Sequence, residues 1–126
     1  MKLLSFYRLS VLTSFLFVAL AFILMFAPAL MLEGWGVELT NEVGLLGRRI
    51  AALYIGLAVM FFMVKRADHS KTRTALIAGT ITGCMLLAIL GVYEFSTGHA
   101  ASGILGAVFI ELALVLAFLY VGIHKK

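Results

Sequence analysis

The chain has 126 residues, enough for one ordinary domain, but 63% are hydrophobic and only 13% charged, whereas a soluble fold is roughly half apolar. The excess has to face lipid, which excludes a soluble globular protein. The formal charge of +4 does not mark a nucleic-acid binder, because Lys and Arg sit at the ends of apolar runs and not on one folded face or arm; membrane topology is written this way, with anionic lipid headgroups as counterions.

The first apolar run, about residues 10–32, follows Lys2 and Arg8. Between Arg8 and Glu33 lie 24 residues without a charge, longer than the roughly 7 to 15 of a secretory signal core, so the segment reads as an uncleaved anchor. At about 1.5 Å per residue it crosses a hydrocarbon core of roughly 30 Å. Pro28, the only proline, predicts a kink or early helix end near its outer limit. The segment from Glu33 to Asn41 follows as a first external loop, with Trp35 suited to the headgroup level.

The second span is expected over residues 43–64 and carries Arg48 and Arg49 in its first third; the basic loop Lys65 to Arg73 follows, then a third span over 74–95, a short polar turn, and a fourth span over 102–122. His124, Lys125 and Lys126 finish the chain. Eight of the ten Lys and Arg lie on the side of the N-terminus, the 65–73 loop and the C-terminus, so the positive-inside rule puts both termini in the cytoplasm. The expected fold is all-α: one domain, residues 1–126, forming a four-helix up-down bundle in a bacterial inner membrane, with short connections making successive helices antiparallel. No repeat relates the halves, which weakens an inverted-repeat transporter reading.

Helices in lipid associate through close backbone approach, so small residues mark contacts. Gly79 and Gly83 form a GxxxG in the third span, Gly103 and Ala107 lead to Glu111 at intervals of four in the fourth, and Ala52 and Gly56 continue a stripe from Arg49. Their partners are other helices of the chain or of a second copy. Cys84, the only cysteine, excludes an intramolecular disulfide and reads as a small core residue.

Glu111 is the most expensive residue, roughly 13 Å inside the fourth span. A charge there costs at least ~2.5 to 3.5 kcal/mol, so its carboxyl must be paired, solvated through a cavity, or carried as the neutral acid. It is either a proton- or cation-handling group or a structural link to another helix. Arg49 enters the same layer at roughly 9 Å depth, while snorkelling to the headgroups is the simpler expectation for at least one of the two arginines. Glu94 lies one residue from the third span's end. The expectation is a buried polar cluster of Arg48, Arg49, Glu94 and Glu111 in the outer half, with an Arg49–Glu111 pair, Glu94 near Arg48, and Tyr54, Tyr93 and His99 at its border; a guanidinium fork satisfies a carboxylate bidentately.

No catalytic residue, metal site or cofactor is expected. His69, His99 and His124 all lie outside the spans, where they cannot serve a haem held at membrane depth. Glu94, His99 and Glu111 lack a diagnostic metal-ligand spacing, and neither a phosphate loop nor a nucleophile motif is present.

The stretch Gly47-Arg48-Arg49-Ile50-Ala51-Ala52-Leu53-Tyr54-Ile55-Gly56-Leu57, with a basic loop after it and Ile110-Glu111-Leu112 in the last span, resembles small bacterial four-helix membrane proteins of the DoxX-like kind and related domains of unknown function. The likeness covers the second to fourth spans. Such proteins often open the second span with Arg and carry polar residues near the end of the third; Tyr93-Glu94 departs from their usual form. The resemblance implies a compact bundle, with respiratory or oxidative-stress associations in some members, and transfers no catalytic residue. Three functions stay open: an accessory or assembly protein bound to lipids and to a membrane partner or second copy, a small proton-coupled transporter using Glu111, and a quinone-linked redox component. Four-helix multidrug exporters place their carboxylate in the first span, which here has none.

Overall fold

The computed structural model describes residues 5–68 and 70–123. Its helices are α1 Phe6–Phe26, α2 Pro28–Trp35, α3 Asn41–Val64, α4 Lys71–Ser96 and α5 Ile104–Ile123, and no strand occurs among the described residues. α1, α3, α4 and α5 are each long and apolar enough to cross a membrane. The fold is all-α and the protein is a multi-pass membrane protein.

Local chemistry sets the helix limits. Side-chain oxygens of Ser5, Thr40 and Ser70 accept the backbone N–H three residues on, from Arg8, Val43 and Arg73, at 3.3, 3.2 and 3.2 Å, which supplies one of the donors left open at a helix start. These caps begin α1, α3 and α4 at Phe6, Asn41 and Lys71, earlier than the apolar runs alone indicate. The expected first span is divided: the ring of Pro28 disfavours helical backbone at the residue before it, and Ala27 leaves the helix at φ −144°, ψ 56°. Pro28 then opens α2 at a position that needs no N–H. α2 stops at Gly36, whose φ of 76° is left-handed backbone open to a residue without Cβ.

α1 and α3 form one antiparallel pair. Ser14 Oγ donates to the Ala58 carbonyl at 2.7 Å, Phe17 stacks on Tyr54 with centroids 5.5 Å apart, and Leu24 lies beside Gly47. Small residues let the backbones approach: Ser10, Ser14 and Ala21 are buried on α1, and Gly44, Ala51 and Ala58, seven residues apart and so on one face, are buried on α3. α4 and α5 form the second antiparallel pair, with Ile77 beside Gly122 and Val108 against Gly91. α1 also touches α5.

At the end that holds Ser5 and the 65–70 loop, here the basic end, all four spans share one core built from Phe6, Leu9, Phe61, Ile77, Phe118 and Val121. Toward the other end, the far end, the second core of Ala21, Leu24 and Ala51, packed by Met25, Met31 and Tyr54, draws on α1, α2 and α3 only. The far ends are tied instead by backbone: Ala101 N–H donates to the Trp35 carbonyl at 2.8 Å, and Gly103 lies against the Gly34 backbone.

The expected packing glycines divide accordingly. Gly103 makes a close contact and Ala107 is half-buried, but Gly56, Gly79 and Gly83 have nothing within 4 Å of where a β-carbon would stand, and Ala52 is exposed. The inward stripes explain this correction. Gly56 is two residues from buried Ala58, and Gly79 two from buried Ile77, a rotation of about 200° that turns each outward.

Candidate functional site

α3 and α5 run in the same direction, and the rings of Phe61 and Phe118 meet with centroids 5.6 Å apart. One heptad toward the far end on both helices puts Tyr54 and Glu111 at one level, and the two groups are within electrostatic reach of each other. Cys84, buried on the inward stripe of α4, completes the layer, in electrostatic reach of both Glu111 and Tyr54. Glu111 follows seven residues after Ile104, the first residue of α5, which places it roughly 10 Å inside the span.

Glu111 and Tyr54 are half-buried. Phe17 covers one face of the Tyr54 ring. Among the described residues, no hydrogen bond or ion pair reaches the Glu111 carboxyl. The layer is therefore a carboxyl, a phenol and a thiol in an apolar surround. Each can give or take a proton, and none is a cation able to neutralise a carboxylate. It sits where the basic-end core shared by both helix pairs has given way to packing within each pair, Ala21, Leu24 and Ala51 between α1 and α3 and Val108 against Gly91 between α4 and α5.

The expected four-residue cluster does not assemble. Arg48 and Arg49 are exposed on α3. Arg49 stands two residues from fully buried Ala51, which rotates it about 200° away from the neighbouring helices. Arg48 lines an open far-end pocket of about 630 Å³ with Pro28, Thr40, Asn41 and Glu42. Glu94 pairs with His99 and not with Arg48: His99 Nδ1 lies 2.8 Å from Glu94 Oε1 and 3.1 Å from Thr97 Oγ1. Among the described residues no other acid and base approach within ion-pair distance, and the contact is an ion pair when His99 is protonated. The chain reversal after α4 produces it, since the His99 and Ala100 N–H groups both donate to the Glu94 carbonyl and fold His99 back over the acid. Tyr93 is exposed. Of the expected site residues, Glu111 and Tyr54 alone share a level within the spans, in electrostatic reach of each other and without a hydrogen bond between them.

Sequence reasoning missed the polar face of α1 and one arginine. Ser10 and Thr13 hydroxyls are buried without a hydrogen-bond partner, beside Ser14; the Ser10-x-x-x-Ser14 spacing is the small-residue signal that reveals this contact. Arg73 is buried at 5% exposure, and its position four residues before Ile77 puts it on the inward stripe of α4. No three His, Cys, Asp or Glu side chains converge on a metal position among the described residues. His69 and His124 lie outside the described residues, as do Lys2, Lys125 and Lys126.

Fold and site together define an α-helical multi-pass membrane protein with a carboxyl–phenol–thiol layer inside its spans. Comparison with protein-family models, with curated proteins and with solved structures finds no match to this chain.

Proposed function

We propose that the chain is a non-enzymatic accessory or assembly protein of a bacterial inner membrane, with its basic end in the cytoplasm, whose mid-span layer is completed by a hydrogen-bond donor from a partner helix or a second copy. The observation that carries this reading is the Glu111 carboxyl, half-buried within the spans and without a hydrogen-bond or ion-pair partner among the described residues. Polar groups at membrane depth face a bundle interior or pair with one another. The chain's own nearest candidates, Arg48 and Arg49, point away. Gly56, Gly79 and Gly83, with open space over each, leave small-residue surface for a helix outside the chain. The excess of Lys and Arg at the basic end supports the orientation, and the DoxX-like resemblance fits a small bundle of this kind.

The test is recovery of the tagged full chain in mild detergent. Wild type is expected to bring down a stoichiometric membrane partner or a second copy, and Glu111→Leu to lose it by about tenfold, the equivalent of ~1.4 kcal/mol. A wild-type chain that is monomeric and alone under every mild extraction contradicts the proposal.

A second reading is proton-coupled transport through Glu111. It is favoured by the seam position of the layer, between two helix pairs that share side-chain core only at the basic end. Uptake driven by a pH gradient in liposomes of the purified chain alone, abolished by Glu111→Gln, would establish that reading over the first.

A further inference from the structure

A second place in the molecule collects charge without neutralising it. At the basic end an open pocket of about 310 Å³ is lined by Ser5, Phe6, Tyr7, Lys65, Arg66 and Arg73, among others. Its three cations each rest on an aromatic face: Lys65 Nζ lies 3.7 Å from the Phe62 centroid, the Arg66 guanidinium 5.0 Å from that of Tyr7, and the Arg73 guanidinium 4.2 Å from that of Phe6. A ring face holds a cation but leaves its full positive charge in place. Lys65 also donates to the Phe62 carbonyl at 3.1 Å, and one terminal nitrogen of Arg73 donates to the Ala67 carbonyl at 3.1 Å.

Arg73 is the decisive member. It is 5% exposed, and its Nε and second terminal nitrogen are buried with no acceptor. Those two nitrogens form one edge of the guanidinium fork, closed to solvent in this structure, which binds two oxygens of a phosphate or carboxylate in parallel when the side chain turns it toward the pocket. Asp68 is within electrostatic reach, yet it is exposed and forms no ion pair with Arg73, Lys65 or Arg66. The start of α1 borders the same pocket through Ser5 and Phe6, adding the positive end of a helix dipole.

The geometry points to a phosphate-binding site between the start of α1 and the α3–α4 loop, with Arg73 as the buried fork and Lys65 and Arg66 as the flanking cations. The pocket stands at the end of four apolar spans, the level at which lipid phosphates lie, so an anionic headgroup and a free phosphate are the two sources of this ligand. The site is independent of the Glu111 layer, and its failure leaves that reading untouched.

The test uses the full chain, delipidated in detergent, with thermal midpoint and bound mass as readouts. Mixed micelles containing phosphatidylglycerol are compared with phosphatidylcholine, and inorganic phosphate with chloride at equal ionic strength. Retention of phosphatidylglycerol is expected to exceed that of phosphatidylcholine by about tenfold, and to fall about tenfold in Lys65→Ala with Arg66→Ala. The far-end pair Arg48→Ala with Arg49→Ala, which removes the same charge, is expected to retain it. Arg73→Gln is expected to abolish retention; should that variant fail to fold, the Lys65 and Arg66 variant decides. Protection by inorganic phosphate alone, lost in the same variants, supports the site with free phosphate as its source. Equal loss in the basic-end and far-end variants, or no loss in the basic-end one, overturns it.

Discussion

The two halves of the molecule are held by different means. At the basic end, aromatic and aliphatic side chains from all four spans interlock around Phe61 and Phe118, which are 1% and 0% exposed. In the far half, side chains pack within each pair, Ala21, Leu24 and Ala51 between α1 and α3 and Val108 against Gly91 between α4 and α5, and the two pairs are joined by backbone contacts at Trp35–Ala101 and Gly34–Gly103. The polar layer lies where the first regime passes into the second. Lipid solvates apolar side chains as well as a protein interior does, so cohesion rests on close fit and hydrogen bonds. The half-buried Glu111 and Tyr54 are found where the shared core ends, while the buried Ser10, Thr13 and Arg73 lie at the basic end.

The sharpest way to break this contrast is in the shared core. Phe118→Ala is expected to destabilise the whole bundle by about 3 kcal/mol, the lower edge for such truncations because lipid replaces water in the unfolded reference; unfolding in mixed micelles measures it, and both helix pairs should lose structure together. Next, Gly103→Ala drives a β-carbon into the Gly34 carbonyl, and overpacking of this kind costs typically ~1 to 3 kcal/mol. Here the far ends alone should part, read as faster hydrogen exchange at Ala101 with little change near Phe61. Ser14→Ala removes the hydrogen bond to Ala58 and should cost about 0.6 kcal/mol, the average for such bonds within membranes. The smallest effect belongs to Glu94→Gln: the Glu94–His99 pair is exposed at 41% and 66%, so its loss should change stability by less than ~0.5 kcal/mol. If this variant destabilised the protein more than Phe118→Ala, the division into a packed half and a loosely tied half would be wrong.

The spans were legible because a run of twenty or so apolar residues has few alternatives, and Pro28 marked its own break. The starts were legible in principle from Ser5, Thr40 and Ser70, but hydropathy places an edge where charge begins, several residues inside the capped helix. Which face turns inward was not legible. These helices are apolar all round, so no amphipathic stripe separates interior from lipid, and glycine spacing was the remaining guide. It favoured Gly56, Gly79 and Gly83, whereas the chain packs through Ser10, Ser14, Ala51 and Ala58. The same ambiguity extends to Arg49; once Ala51 fixes the inner face of α3, Arg49 stands nearly opposite. Glu111 could be found because the cost of burying a carboxyl does not depend on face. Its neighbour Tyr54 could be placed at its level only after Phe61 and Phe118 had fixed the relative height of α3 and α5.

The most direct measurement is the unfolding free energy of the isolated monomer with Glu111→Leu, beside the strength of its assembly. A carboxyl without a partner inside the chain predicts a monomer at least as stable as wild type together with a weakened assembly, since an unpaired polar group in an apolar surround destabilises its own fold. A monomer that loses about 3 to 5 kcal/mol, matched by Arg49→Leu and relieved in the double variant, would reveal a buried internal ion pair and contradict the account.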